Sequence, residues 1–303
     1  MTWCAASTSA HEGLDMTIFL EQIINGIIIG SMYALIGSGI ALIYGTMRVL
    51  NLAHGEFYML GGYLVFFLIV AYAVPPWLAI PIAVFAIFVL GLLVQRLTIA
   101  YLLPREEWAF ATIAVTLGLS IFLQNLALLL FGEQFQSIPY YLTGVVEIAG
   151  LRLPQQRLLM LAVAIITIAI MTFVLTRTRF GWALRATSED KDAAAVVGIP
   201  AARIYTLTFG IAAALGCVAA AMLAPIYAVN PWMGLPVLFK GFVVVILGGL
   251  GSFPGAIAGG ILLGIVEAVG VQVTSSEWRD VIAFAFMILV IWIRPWGLFG
   301  KAR

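Results

Sequence analysis

Long apolar stretches, most of them sufficient to cross a bilayer, recur along the chain and are separated by short polar intervals. They fall at 17–47, 57–74, 77–100, 108–131, 158–176, 204–228, 237–271 and 279–296. A spanning helix needs about 20 apolar residues to traverse a ~30 Å hydrocarbon layer. With 63% hydrophobic and 10% charged residues among 303, the chain carries more apolar surface than one water-soluble core can cover. Its solvent is therefore largely lipid.

Lipid cannot satisfy backbone polar groups, so spanning segments must be helices or closed barrels. Barrel strands alternate polar and apolar residues. The run 158–175, with hardly a polar residue, does not. The fold class expected is all-α, a polytopic transmembrane bundle of about eight to ten helices, some broken or re-entrant. Residues 1–15 lack a signal peptide's basic start and apolar centre and are expected as a disordered extension. Residues 16–303 then form a single transmembrane domain. Cys4 and Cys217 suggest no disulfide framework, and a net charge of +1 gives no footprint for nucleic acid.

Two breaks are informative. The run 237–271 exceeds one span and contains Gly248, Gly249, Gly251 and Pro254, which interrupt a helix. The loop 177–203 holds Arg177, Arg179, Arg185, Lys191 and Arg203, five of the chain's 15 basic residues, and the positive-inside rule makes it cytoplasmic. The basic C-terminus belongs on the same side. Both conditions hold if 237–271 folds back on itself at its glycines. Such breaks at membrane depth are tolerated where protein or a water-filled cavity receives the freed backbone. The glycine pairs Gly26/Gly30, Gly255/Gly259 and Gly260/Gly264 permit close helix contact and speak for a bundle, not for an activity.

Ionisable groups in apolar surroundings are the next signal, since a charge at a helix centre costs roughly 2.5–3.5 kcal/mol to insert. Lys240 and Glu267 flank the glycine break at comparable depth if the segment is a hairpin. They form an ion pair, or else Lys240 snorkels to the interface. Asn51, His54 and Glu56 sit in the polar break between the first two runs. They satisfy exposed backbone or line a route; with His11 as the one other histidine, no metal site is expected. Thr112, Thr116 and Ser120 share one helix face, where hydroxyls can simply bond to their own backbone.

Within the basic loop, Asp192-Ala193-Ala194-Ala195 runs on to Gly198-Ile199-Pro200. A short Ala-rich helix ending at a glycine presents a smooth knob to a partner, and Glu189, Asp190 and Asp192 suit its N-terminus. An acidic residue, two alanines and a glycine six positions after the acid resemble the EAA loop of ABC-importer permeases, with Asp192 in place of the usual Glu. Gly181-Trp182-Ala183-Leu184-Arg185-Ala186, Gly30-Ser31-Met32-Tyr33-Ala34-Leu35 with Asn51-Leu52-Ala53-His54-Gly55-Glu56, and Lys240-Gly241-Phe242 through Gly248-Gly249-Leu250-Gly251-Ser252 resemble the branched-chain amino acid permease family, H-type subunit. These blocks cover nearly the whole chain after Met16.

The resemblance implies a permease of an ATP-driven importer working by alternating access, with the H-type chain paired with a second permease in a heterodimer. Two cytoplasmic ATPase subunits would dock on the loop through Arg185, Glu189, Asp192, Ala193, Ala194, Gly198 and Ile199. A periplasmic binding protein would deliver the solute to a bacterial inner (plasma) membrane. ATP and Mg would bind to the partners, with no cofactor on this chain, which has no GxxxxGK[ST] loop and no catalytic residues. Branched-chain amino acids are the expected cargo, urea, amides and other small polar solutes the alternatives. An ion-coupled secondary transporter using Glu267, or an intramembrane enzyme using His54 and Glu56, are the competing classes. The knob distinguishes them, since a self-powered carrier needs no ATPase dock.

Overall fold

A computed structural model describes residues 3–103, 108–148 and 151–300, with side-chain surroundings given from residue 19 onward. Eleven helices run through these residues. They are α1 (Trp3–Met47), α2 (His54–Phe66), α3 (Pro76–Val94), α4 (Trp108–Phe131), α5 (Gln155–Arg177), α6 (Arg179–Glu189), α7 (Lys191–Val196), α8 (Ala201–Leu223), α9 (Gly234–Gly248), α10 (Phe253–Val273) and α11 (Arg279–Ile293). π-Helical turns prolong α2 to Ala71 and, with a last α turn, α3 to Leu102. Seven of these segments are long and apolar enough to cross a membrane, and the 15-residue α9 is a shorter apolar helix. The chain is thus a polytopic helical membrane protein. The backbone of 3–15 continues α1 as helix. The loop before α5 contains an antiparallel hairpin that apolar periodicity could not reveal, β1 (Val145–Ile148) with β2 (Leu151–Pro154).

Burial sorts the helices. α1 from Phe19 and α8 are enclosed over most of their length, whereas α3, α4 and α5 keep most of their surface outward. Phe85, Phe110, Phe122, Ile165, Phe173 and Trp292 point away from the protein, as side chains facing lipid do. The core lies around α1 and α8, where Met32, Leu35, Ile36, Phe209 and Met222 are fully buried.

Glycine sets the spacing between α1 and α10. A Cβ on Gly26 would lie 2.8 Å from the Gly264 carbonyl oxygen, and one on Gly30 would lie 2.7 Å from that of Gly260. One on Gly264 would run into the Gly26 carbonyl. Gly259 does the same for α9 and α10, its Cβ position lying 2.7 Å from the Val244 carbonyl oxygen. Without side chains in the seam the backbones approach to direct contact.

The long apolar run 237–271 is a helical hairpin, as its parity requires. α9 ends at Gly248, Gly249 and Gly251 turn with φ +101° and +83°, and α10 starts under the Ser252 cap, whose Oγ accepts from Gly255 N at 3.1 Å. The hairpin tip packs on the end of α1, where a Cβ on Gly45 would come 2.9 Å from the Gly251 carbonyl oxygen. Leu298 N and Phe299 N donate to the Leu247 and Gly248 carbonyls at 2.8 and 3.1 Å. The tip, the end of α1 and the last residues are thus gathered at one end, and α6 joins them around a shared groove lined by Thr46, Leu184, Arg185, Gly251 and Ser252. This is the basic end of the molecule. The hairpin β1–β2 and the first residue of α11 lie toward the other.

The seam makes a direct prediction. Gly264→Leu must push α1 and α10 apart, a destabilisation at or above the ~1–3 kcal/mol usual for overpacking, read as a lower melting temperature in detergent. Gly118→Leu, on the exposed face of α4 with nothing within 4 Å of its Cβ position, is expected to leave it unchanged or raise it.

Candidate functional site: a capped knob and two buried polar clusters

The knob at the basic end is built by capping. α6 begins at Thr178, whose Oγ1 accepts from Gly181 N at 3.3 Å, and Gly181 lets its backbone lie against the Leu175 carbonyl. Arg185 folds back and donates its guanidinium to Leu175 O, and Trp182 Nε1 reaches Thr176 O at 3.3 Å. A cation is thereby placed on the exposed carbonyls ending α5, where the helix dipole is negative. Asp190 separates α6 from α7 and caps the latter, accepting from Asp192 N at 2.8 Å and Ala193 N at 3.0 Å. Those two bonds, the one to Ala193 first, hold its carboxyl below the usual carboxylate range.

α7 then stops at a glycine turn. Gly198 has φ +85°, and Gly198 N and Ile199 N return to the Ala195 and Ala194 carbonyls, each at 3.0 Å. No atom lies within 4 Å of a Cβ on Gly198, so this residue is required for its backbone conformation and not for space. Glu189, Asp192, Ala193 and Gly198 are exposed, Ile199 half-buried. Ala194 is not on the surface: only 3% exposed, it faces inward and supports the knob instead of forming its contact face. The outward apolar residues of the turn are Val196 and Val197, 87% and 74% exposed. Attention to small residues missed these valines, although two adjacent β-branched residues before a helix-ending glycine are visible in the sequence.

The first buried cluster lies at the break between α1 and α2. Asn51 Oδ1 accepts from Ala53 N at 3.0 Å, a side-chain turn that closes the kink. Thr116 Oγ1, from α4, accepts from Leu52 N at 3.2 Å. α2 begins inside the bundle, because fully buried His54 sits between Gly39 of α1 and α8 near Ala212, midway along that helix. Gly234, first residue of α9, is pressed against Gly55, and Glu56 Oε2 lies 3.0 Å from where its Cβ would be. Glu56 Oε1 accepts from Ser120 Oγ at 2.9 Å. Two helix N-termini thus meet around one carboxylate, the end of the dipole that favours negative charge. Ser38 Oγ, Asn51 Nδ2, both His54 nitrogens and Glu56 Oε2 have no hydrogen-bond partner. Groups of this kind are ordinarily satisfied by internal water. The face Thr112, Thr116 and Ser120 is buried by protein, and two of its hydroxyls serve the break instead of only their own helix.

The second cluster joins α1, α9, α10 and α11. Lys240 Nζ donates to Glu267 Oε1 and sits 2.9 Å from Asp280 Oδ1, and Tyr33 Oη donates to Glu267 Oε2 at 3.1 Å. The structure therefore has the ion pair and not a snorkelling lysine. Asp280 and Tyr33 were not paired with it by sequence alone, since nothing local relates residues so far apart. Among the described residues no group of three or more His, Cys, Asp or Glu side chains is arranged to hold a metal ion.

Comparison with known proteins agrees with this architecture. The family model described as branched-chain amino acid transport system / permease component matches residues 22–291. The high-affinity branched-chain amino acid transport system permease protein BraD of Pseudomonas aeruginosa is 36% identical over 295 residues, 93% of this chain and 96% of that protein. LivH, the corresponding permease protein of Escherichia coli (strain K12), is 34% identical over 297 residues, again 93% of this chain and 96% of that protein.

Two measurements test the second cluster and the knob. Lys240→Met leaves the Glu267 carboxylate buried without its main cation and is expected to cost about 3–5 kcal/mol, whereas Lys240→Met with Glu267→Met recovers most of it; denaturation in detergent reads both. The Asp190 cap is present at neutral pH because its carboxyl is ionised, and is lost as pH falls through the depressed folded-state pKa. Amide exchange across residues 191–198, corrected for its intrinsic pH dependence, should rise only below the ordinary carboxylate range, and Asp190→Ala should show that faster exchange at every pH.

Proposed function

The chain belongs to the branched-chain amino acid transport system permease family, and from that premise we propose that it forms one transmembrane half of an ATP-driven importer for leucine, isoleucine and valine in a bacterial inner membrane. Its assembly comprises a second permease subunit, two cytoplasmic ATPase subunits and a periplasmic binding protein that delivers the solute. ATP and Mg belong to the ATPases, and this chain carries out no hydrolysis of its own.

The observation that carries this reading is the knob. Val196 and Val197 are exposed on a turn stapled at both ends by Asp190 and Gly198, at the end of the protein that holds the basic loop. Apolar side chains held out on a rigid turn suit a cleft in a moving partner. The short links from α7 into α6 and α8 give that partner a lever on the bundle. When nucleotide binding closes the ATPases, the knobs move with them and the two permease halves rock, exchanging which side of the pathway is open. The breaks at 47–54 and 249–252, with α2 and α9 starting or ending at glycine-lined contacts, let short helices shift without exposing unpaired backbone to lipid.

An ion-coupled carrier is less well supported, because Glu267, its natural coupling carboxylate, is already engaged by Lys240 and Tyr33. The test is ATP-driven uptake of labelled leucine by the reconstituted transporter with its binding protein. Val196→Asp and Val197→Asp are exposed changes that leave the fold intact. Together they are expected to lower uptake tenfold or more and to weaken co-purification of the ATPases, as buried interface anchors do. Wild-type uptake by the double variant, or uptake without any ATPase, would contradict the assignment.

A further inference from the structure

The cavity at the end remote from the knob differs in chemistry from the rest of the bundle. It encloses about 270 Å³ between the first part of the α1 span, the start of α5, the last half of α10 and the start of α11. Gln22, Asn25, Arg157, Tyr227, Glu267 and Arg279 bring polar groups to it. Tyr227 is exposed at its mouth, and Glu267 is buried at its floor. Arg279 donates to Tyr227 Oη at 3.2 Å, and Arg157 donates to the Asn25 side-chain oxygen.

Charge is unbalanced there. Glu267 and Asp280 are both taken by Lys240, while among the described residues neither Arg157 nor Arg279 has a carboxylate within 4.0 Å. Both guanidiniums therefore line the pocket with neutral hydrogen-bond partners and no carboxylate in salt-bridge contact. A guanidinium fork matches a carboxylate geometrically and electrostatically. Beside them Ile29, Gly264, Ala268 and Val271 form an apolar wall.

We infer that this cavity is a carboxylate-recognising subsite for the solute, in which an α-amino acid places its carboxylate between Arg157 and Arg279 and its aliphatic side chain against Ile29, Ala268 and Val271. The α-ammonium group is directed toward the side-chain oxygen of Asn25, which accepts from Arg157 and keeps a second lone pair. This rests on the reading of the chain as an amino-acid permease and adds to it a place where the solute is recognised by the membrane subunit itself. Gly264 belongs to both structures: it closes the seam with α1 and lines the pocket.

The test uses the assembled transporter in lipid nanodiscs without its binding protein, so that any recognition is the membrane complex's own. Binding of L-leucine and of L-leucinamide, which lacks the carboxylate, is followed by saturation-transfer NMR. L-Leucine is expected to bind and L-leucinamide at least about tenfold more weakly, the loss expected when charged hydrogen bonds are removed. Arg157→Gln with Arg279→Gln should weaken L-leucine binding by a similar factor, and Arg157→Lys with Arg279→Lys should restore part of it. Basal ATPase activity and melting temperature of each variant report that the complex is folded. Equal binding of the two probes, no binding of either, or L-leucine binding unchanged by the glutamine pair would overturn the subsite. Wild-type ATP-driven leucine uptake with the binding protein, measured in parallel, tells failure of the subsite apart from failure of the transport reading.

Discussion

Backbone contact between α1 and α10 is the constraint on which most other features rest. Helices in lipid gain little from burying apolar side chains against one another, so close approach and polar contacts must hold them together. Gly26, Gly30, Gly260 and Gly264 provide the approach. Once α10 lies against α1, Glu267 comes within reach of Tyr33, and Lys240 on the neighbouring α9 meets the same carboxylate. The same register brings the turn at Gly251 beneath Gly45, at the basic end. A seam of missing side chains thus places a buried charge cluster at one level and the hairpin tip at another.

The two polar clusters answer the same physical problem differently. Lys240, Glu267, Asp280 and Tyr33 satisfy one another, which fixes four elements relative to each other. The cluster around His54 and Glu56 is only partly satisfied, and it lies where two helices begin inside the bundle. A closed network resists change, whereas an incompletely paired one at a helix junction accommodates it. The rocking motion proposed for an ATP-driven permease is thus assigned to α2 and α4 at that junction, with the α1, α9, α10 and α11 side as its rigid reference.

Much of this was legible in the sequence. The apolar runs announce their own helices because lipid leaves no alternative backbone structure. The break at Gly248–Pro254 followed from charge parity, and the glycine pairs read as contacts. The hairpin at 145–154 escaped because its register comes from cross-strand pairing such as that of Glu147 with Arg152. Partnerships such as Ser120 with Glu56 or Tyr33 with Glu267 span tens to hundreds of residues and depend on tertiary register. The short helix before Gly198 was legible, but its inward and outward faces were not, because the burial of Ala194 and the exposure of Val196 depend on tertiary packing.

The central claim is that the exposed valine turn lies on the ATPase side of the membrane and is covered by the ATPase. A cysteine at Val196, in a chain with Cys4 replaced by serine and the buried Cys217 retained, reports both through labelling by a membrane-impermeant maleimide. Labelling in inside-out vesicles stripped of the ATPases, protection when they are added back, and no labelling in right-side-out vesicles is the outcome predicted. Labelling from the outside, or equal labelling with and without the ATPases, would contradict it.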